Sequence, residues 1–224
     1  MGQLPEIIDF GIKDYNDILK LQQKLFFDLL EHNSVNNSKS YEYLLLGEHF
    51  PVITCGKHAN KENILLTTEI LNSKNISVVE IERGGDVTYH APGQLIAYPI
   101  IDMKKYALTV KQYVNLLEES VIRLIANYGI KGERIEGATG VWVDKGNDKE
   151  RKICAIGIKC RKFCTMHGLA LNVTTDLSGF SMINPCGFIE KGVTSMATEL
   201  GYKPEMNKIK KEFSDIFFSL IFSF

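Results

Sequence analysis

Residues 140–173 read GVWVDKGNDKERKICAIGIKCRKFCTMHGLALNV. Gly140 to Val143, Lys152 to Cys160 and Phe163 to Val173 are three apolar, strand-like runs in succession. A polar turn, Asp144 to Glu150, joins the first two, and the third follows with almost no link. Strands that follow one another without an intervening helix belong to a largely antiparallel or mixed sheet, not to a βαβ repeat. The same pattern extends upstream. Tyr41 to Leu46 and Val52 to Cys55 read as strands around a turn at Gly47 to Pro51, and Ser77 to Glu82 and Leu95 to Ile101 are further strands.

Three helices complete the reading. Asp14 to Glu31 puts Ile18, Leu21, Leu25, Phe26, Leu29 and Leu30 on one face behind an N-capping Asp14. Thr109 to Tyr128 opens on a capping box, Thr109 with Gln112, and meets Gly129 at its C-terminus. Pro204 to Phe224 closes the chain with Met206, Ile209, Phe213, Phe217, Leu220 and Phe224 at spacings of three or four, and Pro204 suits the first turn. The segment Asn33 to Ser40, with three Asn and three Ser, reads as an exposed loop. Few long helices and consecutive strands give an α+β class, a mixed and mostly antiparallel sheet flanked by helices, in a single domain over residues 1–224.

Composition narrows the function. Hydrophobic residues make up 45% and charged residues 24% of 224, as in an ordinary globular chain. The net charge of -1 argues against a nucleic-acid partner. The twelve apolar-rich residues of the tail contain Asp215 and are too short for a membrane span. Five cysteines without a signal-peptide pattern favour a reducing, cytoplasmic setting. No CxxC or HExxH spacing occurs among the cysteines and the five histidines, so no metal site is expected. Between Asp144 and Lys162, seven basic and three acidic residues leave a local +4, which suggests a docking patch for an acidic or phosphorylated carrier.

Chemistry concentrates in three segments. RGGDVTYHAPGQ, residues 83–94, packs three glycines, Arg83, Tyr89 and His90 into a turn whose backbone can approach a ligand closely. It is neither a Walker loop nor a dinucleotide fingerprint, and a plain glycine turn between strands has the same composition. In the 152–173 run, Gly157 suggests a bulge or a ligand on the backbone, and His167-Gly168 interrupts the next strand in the same way. Asn184-Pro-Cys-Gly187 puts Cys186 in a turn, where a thiol with a cation nearby becomes a nucleophile; for a lone cysteine an inert small residue is the commoner role.

Together these segments resemble the octanoyltransferases of lipoate biosynthesis. The resemblance runs in order over roughly Tyr41 to Ser195: Glu48-His49 with Pro51, Thr54 and Gly56; RGGDVTYH with Pro92-Gly93-Gln94; the GVWV strand after Thr139; Lys152-Ile153 with Gly157, then HGLALN at residues 167–172; and NPCG at 184–187, with Thr194-Ser195 behind it. Ala91 departs from the family's usual glycine, and would be strained if the position needed a positive φ. The resemblance implies the biotin/lipoate protein ligase fold. It implies Cys186 as the acyl-carrying nucleophile, and Lys152, rather than Lys159, as the group that lowers its pKa and handles the amine proton. It implies substrate contacts at Arg83, Gly84, Gly85, Asp86, Val87, Thr88, Tyr89 and His90, at Ala155, Ile156 and Gly157, and at Gly168, Leu169 and Ala170, with His167 adjacent. The donor it implies is octanoyl-acyl carrier protein, and the acceptors are lysines on lipoyl domains of 2-oxoacid dehydrogenases and on the glycine cleavage H protein, with no ATP, metal or other cofactor. The alternatives are an ATP-dependent lipoate or biotin ligase of the same fold, a non-catalytic acyl-carrier-binding module, and a cysteine hydrolase.

Overall fold

The structure is a computed structural model and describes residues 4–34, 42–147, 149–184 and 192–223. In chain order its strands are β1 (Glu6–Lys13), β2 (Tyr43–His49), β3 (Val52–Cys55), β4 (Ser77–Glu80), β5 (Val87–His90), β6 (Gln94–Ile100), β7 (Glu133–Ile135), β8 (Ala138–Val143), β9 (Arg151–Arg161), β10 (Cys164–Asn172) and β11 (Gly192–Val193). The α-helices are α1 (Tyr15–Ser34), α2 (Thr68–Ser73), α3 (Val110–Ala126), α4 (Met196–Leu200) and α5 (Met206–Ile221).

The 140–173 run forms the centre as its pattern requires. β8, β9 and β10 are successive antiparallel neighbours in a sheet ordered β1-β2-β6-β10-β9-β8-β7, and the short β11 adds to β9 in parallel. A second sheet, β4-β3-β5, stands beside it. The sheet is mixed and mostly antiparallel.

Strand alternation divides the core. Leu44, Leu46, Leu95, Ala97, Leu169 and Leu171 share one face with the buried stripes of α3 and α5. Their neighbours in sequence, Leu45, Ile96, Tyr98 and Ala170, share the other face with Ile18, Leu25, Phe26 and Leu29 of α1. Register locks the arrangement: Leu169 pairs with Ala97 and Leu171 with Leu95, so a one-residue slip would reverse both faces. The capping box at Thr109 is present, with the Gln112 N–H donating to Thr109 Oγ1 at 3.3 Å and the Thr109 N–H to Gln112 Oε1 at 2.9 Å.

Several local expectations change. β2 runs on through His49, because Glu48 and His49 continue the parallel pairing with Ile12 and Lys13; the turn is confined to Phe50 and Pro51. β1 itself is an edge strand with only Phe10 buried, so its sequence carries little alternation. Gly157 is not a bulge: β9 and β10 pair in unbroken register from Arg161 with Cys164 to Cys154 with Leu171. His167-Gly168 likewise lies within continuous β10, although His167 takes a left-handed φ of 60°. Pro204 precedes the last helix, which is capped instead by Glu205 accepting from the Asn207 and Lys208 N–H groups, both at 3.1 Å. α1 continues through Asn33 and Ser34; the rest of the polar segment, and Phe224, lie outside the described residues.

Candidate active site

One half of RGGDVTYH is a turn and the other half is β5. The turn is tacked down from two sides. The Gly84 N–H donates to Ile158 O of β9 at 2.9 Å. The N–H groups of Gly56, Lys57 and His58 donate to the carbonyls of Asp86, Arg83 and Gly85 at 3.2, 2.9 and 3.2 Å. Gly85 has φ +90°, a conformation that side chains disfavour. Asp86 organises the neighbouring loop, accepting from the Asn60 N–H at 3.0 Å and from Asn63 Nδ2 at 2.5 Å. Gly157 lacks a side chain because this turn lies on it: a Cβ would stand 2.8 Å from Gly84 O and 3.0 Å from Arg83 Cδ.

Turn, β5, β9 and β10 enclose a cavity of about 500 Å³, a size typical of ligand sites. Its wall includes Arg83, Gly84, Gly85, Asp86, Val87, Thr88 and His90, then Lys152, Ala155, Ile156 and Gly157, then His167, Gly168, Leu169 and Ala170. Three segments distant in sequence therefore converge on one space. Tyr89 is the exception among the expected residues. It points from β5 into the core of the small sheet, edge-on to Phe180 at 5.6 Å between ring centroids and over Gly179, where a Cβ would stand 2.1 Å from its ring.

The wall also contains Tyr15 and Tyr98, which the sequence did not single out, and Gln94, Trp142 and Asn172, which it named only as members of the motifs. Gln94 and Asn172 belong to a hydrogen-bonded chain that runs in one direction. Arg83 Nη2 donates to Thr54 Oγ1 at 3.0 Å, and the Thr54 hydroxyl reaches His90 Nε2 at 3.4 Å. His90 Nδ1 lies 2.7 Å from Gln94 Oε1, Gln94 Nε2 donates to Asn172 Oδ1 at 2.9 Å, and Asn172 Nδ2 donates to Thr194 O at 3.0 Å. The chain requires a neutral His90 with its proton on Nδ1. Burial and the neighbouring His49 indeed lower the His90 pKa to about 3. Burial, then the charge of Arg83, lowers that of His167 to about 3, and burial raises the phenols of Tyr15 and Tyr98. The early Glu48-His49 pair acts as scaffold: Glu48 Oε2 accepts from the Gly93 N–H at 2.6 Å, and His49 Nε2 meets the Tyr98 hydroxyl at 3.0 Å. No single residue type marks this chain; its signal is a set of polar residues at positions that strand pairing buries.

Lys152 Nζ donates to Thr139 O at 3.3 Å within the cavity wall. Lys159 is engaged elsewhere, paired with Glu82 and over the Phe26 ring. Cys186 lies outside the described residues. Its described flanks are placed. The Asn184 N–H donates to Asn63 O at 2.8 Å, and Gly192 and Val193 of β11 pair with Arg151 and Lys152. Cys55, Cys154 and Cys164 are buried, and burial raises the Cys154 thiol far above its ordinary pKa. Cys160 is exposed.

Ala91 does not take a positive φ; Gly93 does, at +85°, so the alanine is unstrained. Within the +4 stretch, three of the seven basic residues are engaged. Arg151 pairs with Asp144 at 2.6 Å and Glu199 at 2.8 Å, Lys159 pairs with Glu82, and Lys152 lines the cavity. Among the described residues no group of three or more His, Cys, Asp or Glu side chains is placed to hold a metal ion, and no helix is long and apolar enough to cross a membrane.

Comparison with known proteins agrees with this geometry. The family described as the lipoyl protein ligase A/B catalytic domain matches residues 14–218. The chain is 46% identical to the octanoyltransferase of Parabacteroides distasonis, over 95% of this chain and 96% of that protein. It is 47% identical to the octanoyltransferase of Porphyromonas gingivalis, over 93% of this chain, which spans only 42% of that protein. In fold it is similar to a bipartite lipoate protein ligase of Thermoplasma acidophilum, with a TM-score of 0.68 at 16% identity, over 97% of this chain and 84% of the other.

Proposed function

From its membership of the octanoyltransferases within the lipoyl protein ligase A/B catalytic-domain family, we propose that this chain moves an octanoyl group from acyl carrier protein to a lysine of a lipoyl domain, through a thioester on Cys186. Lipoyl domains of 2-oxoacid dehydrogenases and the glycine cleavage H protein are the proposed acceptors.

Lys152 takes the Cys186 proton, and the resulting ammonium stabilises the thiolate. The thiolate adds to the octanoyl thioester; the new C–S bond forms, the bond to the phosphopantetheine sulfur breaks, and that sulfur leaves with the proton from Lys152. Lys152, now neutral, accepts a proton from the incoming lysine amine as nitrogen attacks the acyl carbon. The C–N bond forms, the bond to Cys186 breaks, and the proton passes to the departing sulfur. Thioester exchange is close to isoenergetic and amide formation from a thioester runs downhill, so neither step needs ATP.

The observation that carries this reading is the pairing of Val193 with Lys152. The strand that follows the Cys186 segment lies against the strand that holds the lysine, at the wall of the cavity formed by the three family segments.

Intact-mass spectrometry after mixing with octanoyl-acyl carrier protein, without ATP, tests the reading. One octanoyl adduct is expected, absent in Cys186→Ser, strongly reduced in Lys152→Ala, and chased onto a lipoyl domain. Modification of the lipoyl domain only with ATP and free octanoate would replace this reading by the ligase.

A further inference from the structure

Lys152 of β9 pairs directly with Trp142 of β8. Its ammonium lies 4.6 Å from the centroid of the Trp142 ring and donates to Thr139 O at 3.3 Å. Trp142 is 1% exposed, and its indole N–H donates to Ala138 O at 2.9 Å, which fixes the ring in its plane. The intervening Gly140 is itself held, with its N–H donating to Glu118 Oε1 at 3.0 Å; Glu118 is anchored in turn by Arg134 Nε at 3.0 Å. Gly140 adopts φ +125°, and a Cβ there would stand 2.5 Å from Cys154 O and 3.5 Å from Lys152 Cε. The lysine stem thus runs through a slot with a π face on one side and a fixed carbonyl at its end.

We propose that Trp142 is the positioning residue for Lys152, its ring face and the Thr139 carbonyl holding the ammonium at one place in the cavity wall. The proposal rests on the reading of Lys152 as the proton-handling group. A lysine has a flexible four-carbon stem, and a charge that wanders stabilises a thiolate poorly. A buried indole face attracts an ammonium most strongly among the aromatic side chains and excludes water from that side. It offers neither proton donor nor acceptor to the lysine, so it orients the group without entering the proton transfers.

Trp142 is the one tryptophan in the chain. Biosynthetic replacement by mono-, di- and trifluorinated tryptophan therefore changes this ring alone, draining its π density stepwise at nearly constant shape. The chain carries Cys160→Ser, because Cys160 is the exposed cysteine among those described. Two quantities are read: the pH midpoint of Cys186 alkylation by iodoacetamide, and single-turnover transfer of octanoate from Cys186 to a lipoyl domain. The midpoint should rise and the transfer rate fall with each added fluorine, by about three- to ten-fold across the series, with KM for the lipoyl domain and the melting temperature unchanged. In a Lys152→Met background the fluorines should have no further effect. Trp142→Phe, which keeps a π face, should retain more activity than Trp142→Leu at matched stability. An unchanged midpoint and rate across the series, with Lys152→Met still shifted, would overturn the role of Trp142 alone. An unchanged midpoint in Lys152→Met would overturn the role of the lysine, and this proposal with it.

Discussion

Gly157 shows how one missing side chain shapes the cavity. Its neighbours are a backbone carbonyl, Gly84 O, and the inner part of a side chain, Arg83 Cδ. On its far side the turn accepts from the Lys57 N–H at Arg83 O, and it is held against β9 by the bond from the Gly84 N–H to Ile158 O. In Gly157→Ala the turn must lift and that bond must stretch, at a cost of about 1–3 kcal/mol. Arg83 would then move from Thr54 and the head of the polar chain would come apart. The expected result is a fall of about tenfold or more in octanoyl transfer with a folded protein by circular dichroism; native transfer rates would show that the turn does not shape the site. Gly168→Ala is the contrast. There a Cβ would stand 2.2 Å from Ala97 O, in the middle of the main sheet where neither strand can retreat, so loss of folding is expected.

The β9–β10 hairpin sets the geometry of three cavity segments, and its turn is poorly matched to its residues. Arg161 pairs with Cys164, leaving Lys162 and Phe163 as a two-residue connection with φ of 49° and 68°. Positive φ at both positions suits the twist of a tight hairpin but disfavours residues with a Cβ, and Asn-Gly is the favoured pair. The hairpin holds because its strands are long and paired without a break, and β10 is buried throughout. Replacing Lys162-Phe163 by Asn-Gly should raise stability by about 1–2 kcal/mol, seen as a higher urea midpoint with unchanged octanoyl transfer. Phe163 is 45% exposed, so little buried surface is lost. A lower midpoint would mean that the packing of Lys104 over the Phe163 ring outweighs the backbone strain.

At the scale of the whole molecule, three buried histidines make stability depend on pH. Burial holds His49 at about 4 and His90 and His167 at about 3, below the ordinary value of 6.5. All three are neutral in the folded chain, whereas the unfolded chain takes up a proton at each below pH 6.5. Their contribution is therefore complete above pH 6.5 and is lost as pH falls, towards 4 for His49 and towards 3 for His90 and His167. From pH 7 to pH 5 each histidine removes about 2 kcal/mol, a large share together of the stability of a domain. The melting temperature should fall steeply over that interval, before most carboxylates titrate, and His49→Gln should flatten the slope. A melting temperature equal at pH 7 and pH 5 would contradict the neutral, buried state of the three.

The amino-acid sequence by itself determined the fold class and much of the chemistry. Consecutive strand-like runs with no helix between them favour antiparallel pairing, hence the β8–β9–β10 centre, and the stripes of α1, α3 and α5 each specify a buried face. The RGGDVTYH and HGLALN segments stood out because glycines and charged residues are costly within strands, while their role, and that of Lys152 in the KI pair, came from the resemblance. β1 was not legible, since an edge strand with one buried residue has no period to read. Nor was the exclusion of Tyr89 from the cavity, which follows from the face of β5 that meets Phe180. The chain from Arg83 to Thr194, and the seat of Lys152 on Trp142, depended on tertiary structure alone. Apart from His90 and Gln94, their links join residues 10 to 78 positions apart, and such pairings are set by strand register, which no local pattern contains.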